Sequence, residues 1–282
     1  MKEEFDFENR SAKNVEEISN SIRMQWNTPT NDGKFLLLVE NDDDRDCYFK
    51  LFNSAAVEIR TTRGCNNMRR LFMAIQSTDV PNFAIQDSDF ARVCGREPAE
   101  SNYFITDRHD HEMMCLENED IMRSIFVNCS INYDAMLVDA IFDDLKVLSS
   151  FKWYNYHHHL NVCFKGYKVR GKNKDELHSF DSIYAVVKSH SPNCTETISE
   201  EDVDAFVDNY PAQNNFEITN GHDFLDRLAQ YIGERTANPS LKTDKLRIIM
   251  YASFTPNCFR NTQLYQRIRV WAGDVSERLF AM

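Results

Sequence analysis

The chain lacks the sequence marks of several large protein classes. Among its 282 residues, no run approaches the roughly 20 apolar residues that span a bilayer. Its acidic opening, MKEEFDFENR, has no apolar stretch of the kind that a signal peptide carries. The eight cysteines form no CxxC pair, which argues against a zinc ribbon. We therefore expect a cytoplasmic protein with reduced cysteines and no association with membranes.

Nucleotide-binding motifs and an excess of positive charge are missing as well. The sequence contains neither GxxxxGKS/T nor GxGxxG, so we do not expect the chain to hydrolyse ATP by itself. Lys and Arg number 32 against 44 Asp and Glu, which gives a formal net charge of -12. This charge disfavours general binding to nucleic acid. A nucleic-acid enzyme of this composition would depend on metal ions and on local basic patches.

Short apolar runs that end in acidic residues are the strongest positive feature. Residues 34–40 read KFLLLVE, residues 82–89 read NFAIQDSD, and residues 102–112 read NYFITDRHDHE. Runs of this length and composition are typical of buried parallel strands. Between the first and second of these runs lies an alternating stretch, Ala56–Thr61, which is the second predicted strand, with a helical pattern on each side of it. The resulting order is β-α-β-α-β-loop-β. This order predicts an α/β fold with a parallel sheet covered by helices, followed by a mainly helical C-terminal region.

Periodicity and polarity divide the chain into three predicted parts. They are a polar extension (1–33), an α/β domain (34–125) and a mainly helical C-terminal region (126–282). The extension contains one amphipathic helix around Val15–Trp26. In the α/β domain, helices are expected over Asp42–Asn53 and Met68–Ile75, with Asp42 or Asp43 as the N-cap of the first.

The acidic residues that follow the strands predict a metal site. The carboxyl ends of neighbouring parallel strands face one crevice, so side chains at those ends converge. Carboxylates in one place repel one another unless cations neutralise them, and Mg²⁺ (or Mn²⁺) suits oxygen ligands. Glu40, Asp87 and Asp89 are the predicted catalytic residues. The predicted metal ligands are Glu40, Asp87, Asp89, Asp107, Asp110 and Glu112.

Each of these carboxylates also has a structural alternative. An acidic residue at a strand end can cap the next helix or lie in solvent. Asp110 and Glu112 occupy a predicted helix start, where negative charge is favourable without any metal. His109 and His111 could bind metal or donate a proton, and they could equally pair with the neighbouring acids. The succession of three acidic strand ends is the feature that favours the metal site.

Two basic stretches are candidates for contact with a phosphate backbone. One group of arginines surrounds the turn after the second strand, and residues 165–174 carry five Lys or Arg beside aromatic residues. Either stretch could instead be ordinary solvated surface. The predicted substrate-binding residues are Arg63, Arg69, Lys168, Arg170 and Lys172.

The stretch LLLVENDDDRDCYFKLF and the later pair of aspartates resemble a Toprim domain. That family places a glutamate after its first strand and a DxD pair after a later one, and Glu40, Asp87 and Asp89 match those positions. Asn41 departs from the pattern, because many members carry glycine there. The departure affects the turn and leaves the acids in place.

Three further stretches are similar to a narrower group, the stand-alone Toprim proteins related to the overcoming-lysogenization-defect nucleases. They are Thr106–Glu112, Gly221–Leu225 and Thr262–Trp271. The resemblance thus covers most of residues 34–271. That group includes the Toprim effector of the PARIS anti-phage defence system, which acts beside a separate ABC-type ATPase, dimerises once released and cuts tRNA.

By this resemblance, the chain is expected to be a metal-dependent phosphodiesterase of anti-phage defence. It would use Mg²⁺ (or Mn²⁺), cut RNA rather than DNA, form a homodimer when active and have an ABC-type ATPase as partner. A non-catalytic interaction module and a DNA-directed Toprim nuclease are the alternatives. A topoisomerase- or primase-like role is disfavoured, because the sequence shows neither a tyrosine-bearing cleavage domain nor a zinc-binding primase module.

Overall fold

The structure is a computed structural model, and it describes residues 12–28, 30–31, 33–210 and 214–281, with the side chains of 12–14 left out. The acidic opening, from which we expect no signal peptide, lies outside the described residues, as does the start of the predicted extension. The described residues form two compact units. The first unit takes its residues from 1–87, 98–106 and 255–282, and the second unit consists of 88–97 and 107–254.

A four-stranded parallel sheet forms the centre of the first unit. The strands are β1 (Phe35–Val39), β2 (Val57–Thr61), β3 (Asn82–Gln86) and β4 (Tyr103–Ile105). Their order in the sheet is β2-β1-β3-β4, and each neighbouring pair is parallel. Four of the five residues in β1 and in β3 are buried, as expected for the apolar runs that predict them.

The other regular elements are helices. In chain order they are α1 (Ala12–Trp26), α2 (Asp42–Tyr48), α3 (Cys65–Gln76), α4 (His111–Leu116), α5 (Glu119–Asn128), α6 (Ala135–His158), α7 (Lys174–His178), α8 (Phe180–Ser189), α9 (Glu200–Asp208), α10 (Asn215–Ile218), α11 (Gly221–Arg235), α12 (Thr243–Ser253), α13 (Pro256–Arg260), α14 (Gln263–Ala272), a 3-10 helix (Gly273–Val275) and α15 (Ser276–Leu279). Among the described residues, no helix combines the length and the apolar character needed to cross a bilayer.

The first unit confirms the predicted α/β fold. α2 joins β1 to β2, α3 joins β2 to β3, and a loop leads from β3 to β4. Parallel strands need such crossovers, because a tight turn cannot reverse the chain between them. α1 and α3 pack over one face of the sheet, where Ile22 and Phe72 share a buried cluster with Leu36 and Leu38. The predicted helix around Val15–Trp26 is therefore confirmed.

α2 ends earlier than the sequence predicts, at Tyr48 instead of Asn53. The segment after it pairs with the end of the chain. Asn53 N–H donates to the Leu279 carbonyl at 2.8 Å, and Ala281 N–H donates to the Leu51 carbonyl at 2.9 Å. These non-local bonds take backbone groups that a longer helix would have used.

The last segment, 255–282, belongs to the first unit, although the sequence groups it with the C-terminal region 126–282. Trp271 of α14 contacts Phe83 of β3, with ring centroids 5.3 Å apart. Arg267 of the same helix donates a hydrogen bond of 2.7 Å to a carbonyl of β4. The end of the chain therefore covers part of the sheet.

The second unit is helical, which confirms the predicted mainly helical C-terminal region. Its longest helix, α6, has 24 residues and packs against α7, α8, α9, α10 and α11. α6 continues without a break to His158. Phe151 and Trp153, near its end, are both fully buried.

A buried carboxylate in α6 is neutralised by side chains of α11. Arg227 donates to Asp144 through Nε at 2.7 Å and through a second nitrogen at 2.6 Å, and the Tyr231 hydroxyl donates at 2.8 Å. Burial alone would raise the pKa of Asp144, but these donors outweigh it and hold the pKa below its ordinary value. This cluster links two helices of the second unit.

Candidate functional site

Glu40 and Asp87 lie at the ends of adjacent parallel strands in the first unit. β1 pairs with β3 up to Leu38 opposite Ala84, and each acidic residue directly follows the last residue of its strand. Neighbouring strands are about 4.8 Å apart, so these two positions are close along the carboxyl edge of the sheet. The Glu40 backbone is fixed there, because its carbonyl accepts the Thr62 N–H at 3.3 Å. Both residues are half-buried.

Asp44 joins these residues, although the sequence analysis does not name it. Its carboxylate accepts the Asn41 N–H at 2.7 Å, which makes Asn41 the N-cap of α2 in place of Asp42 or Asp43. Asp44 is 4% exposed. A carboxylate oxygen of Asp44 lies within 4.8 Å of one of Asp87. Two acids from different elements of the first unit therefore face each other beside the end of β1.

A capping pattern in the sequence could have identified Asp44. An Asn, Ser, Thr or Asp followed three residues later by an acid is a helix-start signal, and Asn41 and Asp44 have this spacing. A residue that caps the helix immediately after a strand has its carboxylate at the strand end. The run of three aspartates concealed which of them takes this position.

The charge of Glu40 acts on Tyr103, at the start of β4. The Tyr103 hydroxyl donates to the side chain of Gln86 at 2.6 Å. Burial raises the pKa of Tyr103, and the negative charge of Glu40 raises it further.

Arg63 and Arg69 lie near the start of α3, also in the first unit. Both line one cavity at this helix start. Arg69 is 3.2 Å from Glu100, and its guanidinium lies 5.5 Å from the Tyr103 ring centroid. Arg60, in the same basic stretch, donates instead to Gln25 at 2.9 Å. Arg63 and Arg69 are thus placed together, whereas Arg60 has a structural contact elsewhere.

Asp89 belongs to the second unit, where its backbone is bent. Its φ of 44° is in the left-handed region, and its N–H donates to the His109 carbonyl at 2.6 Å. One Asp89 oxygen is 3.9 Å from His109 Nε2. Burial, together with the charge of Lys152, lowers the pKa of His109 to about 3. His109 is therefore neutral near pH 7 and cannot donate a proton there as an imidazolium.

Asp110 acts as the N-cap of α4 in the second unit. One of its carboxylate oxygens accepts the Met113 N–H at 2.8 Å, and the other accepts the Gly221 N–H at 2.6 Å. A Cβ at position 221 would come within 2.5 Å of the Asp110 carboxylate and of the Glu112 Cβ. Glycine is required at this close approach between α11 and the start of α4. The structural alternative for Asp110 is thus observed, and its role as a metal ligand stays a prediction.

Glu112 and His111 stand in the first turn of α4. One Glu112 oxygen is 3.4 Å from His111 Nδ1, and the other is 3.6 Å from Arg247 Nε. His111 Nε2 is 2.6 Å from the Tyr251 hydroxyl of α12. Asp107, which precedes this helix, is 6% exposed. Glu112 therefore lies in the first turn of a helix, as its structural alternative predicts, and it also lies beside basic side chains.

Some basic residues of the predicted patch 165–174 make hydrogen bonds and ion pairs within the second unit. Arg170 donates to the carbonyls of Pro239 and Leu241 at 3.1 and 2.6 Å. Lys172 pairs with Glu176 at 2.9 Å. Lys168 is exposed. Of these three residues, Lys168 has the character of a surface contact for a substrate.

The predicted site residues divide between the two units. Glu40, Asp87, Arg63 and Arg69 lie in the first unit, together with Asp44, and the other predicted metal ligands and basic residues lie in the second. Comparison with protein-family models, with curated proteins and with solved structures finds no match to this chain. A function has to be argued from the residues themselves and from their geometry.

Proposed function

We propose that the chain is a metal-dependent nuclease of Toprim type that hydrolyses phosphodiester bonds in nucleic acid. The observation that carries this proposal is the approach of Asp44 to Asp87, within 4.8 Å between carboxylate oxygens. The pair lies at the carboxyl edge of a parallel sheet, beside Glu40. This edge is where open α/β sheets bind their ligands.

The donor set suits Mg²⁺ or Mn²⁺. Both are hard cations that prefer carboxylate oxygens, and Mg²⁺ binds them at about 2.1 Å. Two oxygens on opposite sides of one Mg²⁺ are about 4.2 Å apart. The oxygens of Asp44 and Asp87 would have to approach by less than about 1 Å to reach that separation. Removal of their mutual repulsion by the ion favours this approach.

Glu40, Asp44 and Asp87 would hold the ion, and Glu40 could alternatively accept a proton from water. A bound divalent ion supplies Lewis-acid stabilisation of the charge that develops on a phosphodiester. The carboxylates position the ion, and the basic residues around the start of α3 orient the substrate. Asp89 as a further ligand of this ion remains a prediction from the sequence. So do Asp107, Asp110 and Glu112, which would complete a second metal position or orient the ligands of the first.

The substrate and the biological setting are proposed from the resemblance alone. The proposed reaction is the cleavage of RNA, and of tRNA in particular, by a homodimer. In the proposed setting, anti-phage defence, a separate ABC-type ATPase holds the chain inactive until it is released. Asn41 and its N-cap geometry are consistent with the Toprim pattern, because the turn after β1 does not need the glycine that many members have.

A non-catalytic interaction module is the second candidate, and one observation favours it. Asp44 and Asp110 both accept backbone N–H groups at helix starts, so each has a structural role without any metal. In that case the acidic chain would bind a basic partner, and the loss of a carboxylate would change stability alone.

Cleavage by the purified chain distinguishes the two candidates. The assay would follow tRNA and single-stranded DNA with Mg²⁺, with Mn²⁺ and with EDTA, for the wild type, Glu40→Gln and Asp79→Asn. Asp79 is an exposed acid of the first unit and is the matched control. We expect cleavage that EDTA and Glu40→Gln abolish and that Asp79→Asn leaves intact. Full activity of the Glu40→Gln variant would contradict the proposal.

A further inference from the structure

A cavity of about 530 Å³ opens at the start of α3 in the first unit. Pockets of this size accept small ligands. Three guanidinium groups and two side-chain amides line it, and its described lining contains no carboxylate. In a chain with a net charge of -12, this is a local concentration of positive charge. The lining residues are Arg63, Gly64, Cys65, Asn66, Asn67, Arg69 and Arg70.

The helix start adds to the positive character of the cavity. Gly64, the N-cap of α3, has φ 119° and ψ 156°, a conformation that is accessible essentially to glycine alone. The backbone therefore excludes the Ser, Asp or Asn side chain that would normally cap a helix. The first turn of α3 contains no acidic residue either. The residues of this turn line the cavity, so the cavity lies at the positive end of the helix dipole.

The side chain of Arg69 and the backbone of Arg63 are held by contacts within the first unit. Arg69 is oriented by Glu100 at 3.2 Å and by the ring of Tyr103. Arg63 has a φ of 56°, and its carbonyl accepts the side-chain amide of Asn67 at 3.4 Å. Position 63 therefore has a left-handed backbone conformation, which residues other than glycine seldom adopt.

The same turn is attached to the carboxylate edge. Gly64 N–H donates to the Glu40 carbonyl at 3.1 Å, so the cavity wall and the residue that carries the first carboxylate are joined by a backbone hydrogen bond. Tyr103 also contacts Arg69 of the cavity with its ring. The cavity wall is therefore joined directly to the strand end that carries Glu40.

We propose that this cavity is a phosphate-binding subsite that holds a phosphate of the nucleic-acid strand next to the phosphodiester at the carboxylates. Guanidinium groups bind phosphate through paired hydrogen bonds, and N–H groups at a helix start add further donors. The subsite binds its phosphate without a metal ion. The identification of the ligand as a nucleic-acid strand rests on the proposed function. The affinity of the subsite for phosphate can be tested independently of cleavage.

The test is binding in EDTA, which removes the metal and stops cleavage. A fluorescent single-stranded RNA oligonucleotide would be titrated with the wild type and with the double variant Arg63→Asn, Arg70→Gln. Asn at position 63 tolerates the left-handed backbone. The control double variant is Arg23→Gln, Arg269→Gln, which removes the same charge from exposed positions of the same unit. Thermal unfolding would establish that both variants are folded.

We expect the cavity variant to bind RNA at least about tenfold more weakly, because it loses two guanidinium groups that can make charge-assisted hydrogen bonds to phosphate. The control variant should change the affinity by less than about twofold, since distant exposed charges are screened by salt. Inorganic phosphate should displace the RNA from the wild type. Equal losses in the two double variants, or no loss in the cavity variant, would overturn the proposal.

Two further measurements separate the sources of the phosphate and the two proposals. If a nucleoside monophosphate binds in the cavity and RNA does not, the cavity does not hold a phosphate of a nucleic-acid strand, and the proposal is overturned. Glu40→Gln should retain RNA binding in EDTA. If Glu40→Gln still cleaves while the cavity variant loses RNA binding, the metal proposal fails and the subsite stands. If Glu40→Gln is inactive but the cavity variant binds normally, the subsite fails and the metal proposal stands.

Discussion

The two units surround their carboxylates differently. In the second unit, Asp144 meets Arg227 and Tyr231, and Asp110 accepts two backbone N–H groups. In the first unit, Asp44 also accepts a backbone N–H, and its carboxylate approaches that of Asp87 within 4.8 Å. Donors beside a buried acid stabilise its charge, whereas two carboxylates that approach each other repel, and a cation between them would relieve that repulsion. Burial alone therefore does not identify a functional acid, and the neighbouring charges do.

The largest expected effect concerns the acids of the first unit. Asp44→Asn and Asp87→Asn should each reduce cleavage by roughly 100- to 1,000-fold, because loss of a ligand removes several kcal/mol of charge stabilisation. The matched control is Asp46→Asn, an exposed position in the same helix as Asp44. Rates for tRNA cleavage in Mg²⁺ would check this. A loss in the control equal to that of Asp44→Asn would remove the distinction between the two aspartates.

The next effect is on stability and concerns the second unit. Asp144→Asn should destabilise the protein by about 3–5 kcal/mol, since it leaves the buried Arg227 without its carboxylate. The double variant with Arg227→Met should recover part of this loss, because it removes the uncompensated charge. Urea unfolding at pH 7 would measure both. If the single and double variants are equally unstable, the cluster acts through packing and its charge pairing contributes little.

The same cluster gives the fold a pH dependence with a defined sign. The pKa of Asp144 is below its ordinary value in the folded protein, so its contribution to stability is present above the ordinary pKa and is lost as the pH falls through the folded pKa. The difference in unfolding free energy between wild type and Asp144→Asn should thus shrink below about pH 4. A difference that stays constant from pH 7 to pH 3 would contradict the ionised state of Asp144.

A smaller loss is expected where Asp110 approaches α11. Gly221→Ala should cost about 1–3 kcal/mol, because the added Cβ would lie 2.5 Å from the Asp110 carboxylate and from Glu112. The control is Glu234→Ala at an exposed position of the same helix, which should stay within about 0.5 kcal/mol of the wild type. Thermal unfolding would compare the two. An unchanged midpoint for Gly221→Ala would show that the close approach is absent in solution.

The smallest effect distinguishes the basic residues of the second unit. Arg170→Gln should lower stability by about 1 kcal/mol, because Arg170 donates to two backbone carbonyls. Lys168→Gln should leave stability unchanged and reduce RNA affinity by about twofold, as loss of one exposed phosphate contact does. Unfolding curves and RNA titrations would test the pair, and a reversed pattern would refute this assignment.

The sequence predicts strands well where they are short apolar runs, as in β1 and β3. The runs do not specify which strands pair, so the adjacency of β1 and β3, which brings Glu40 and Asp87 close together, is seen in the structure alone. Asp44 is marked only by its spacing from Asn41, and this signal is weak because three consecutive aspartates share the same local preference for a helix start. The end of α2 and the packing of Trp271 on the sheet depend on partners more than 180 residues away. No local pattern encodes such contacts.

The most direct test of the central claim is the binding of Mn²⁺ to the intact chain, measured by electron paramagnetic resonance. The wild type should bind Mn²⁺, and Asp87→Asn should weaken that binding by at least about tenfold, because one of few charged ligands is lost. Asp79→Asn should bind as the wild type does. Equal affinity of the wild type and Asp87→Asn would show that the carboxylates at the strand ends hold no metal.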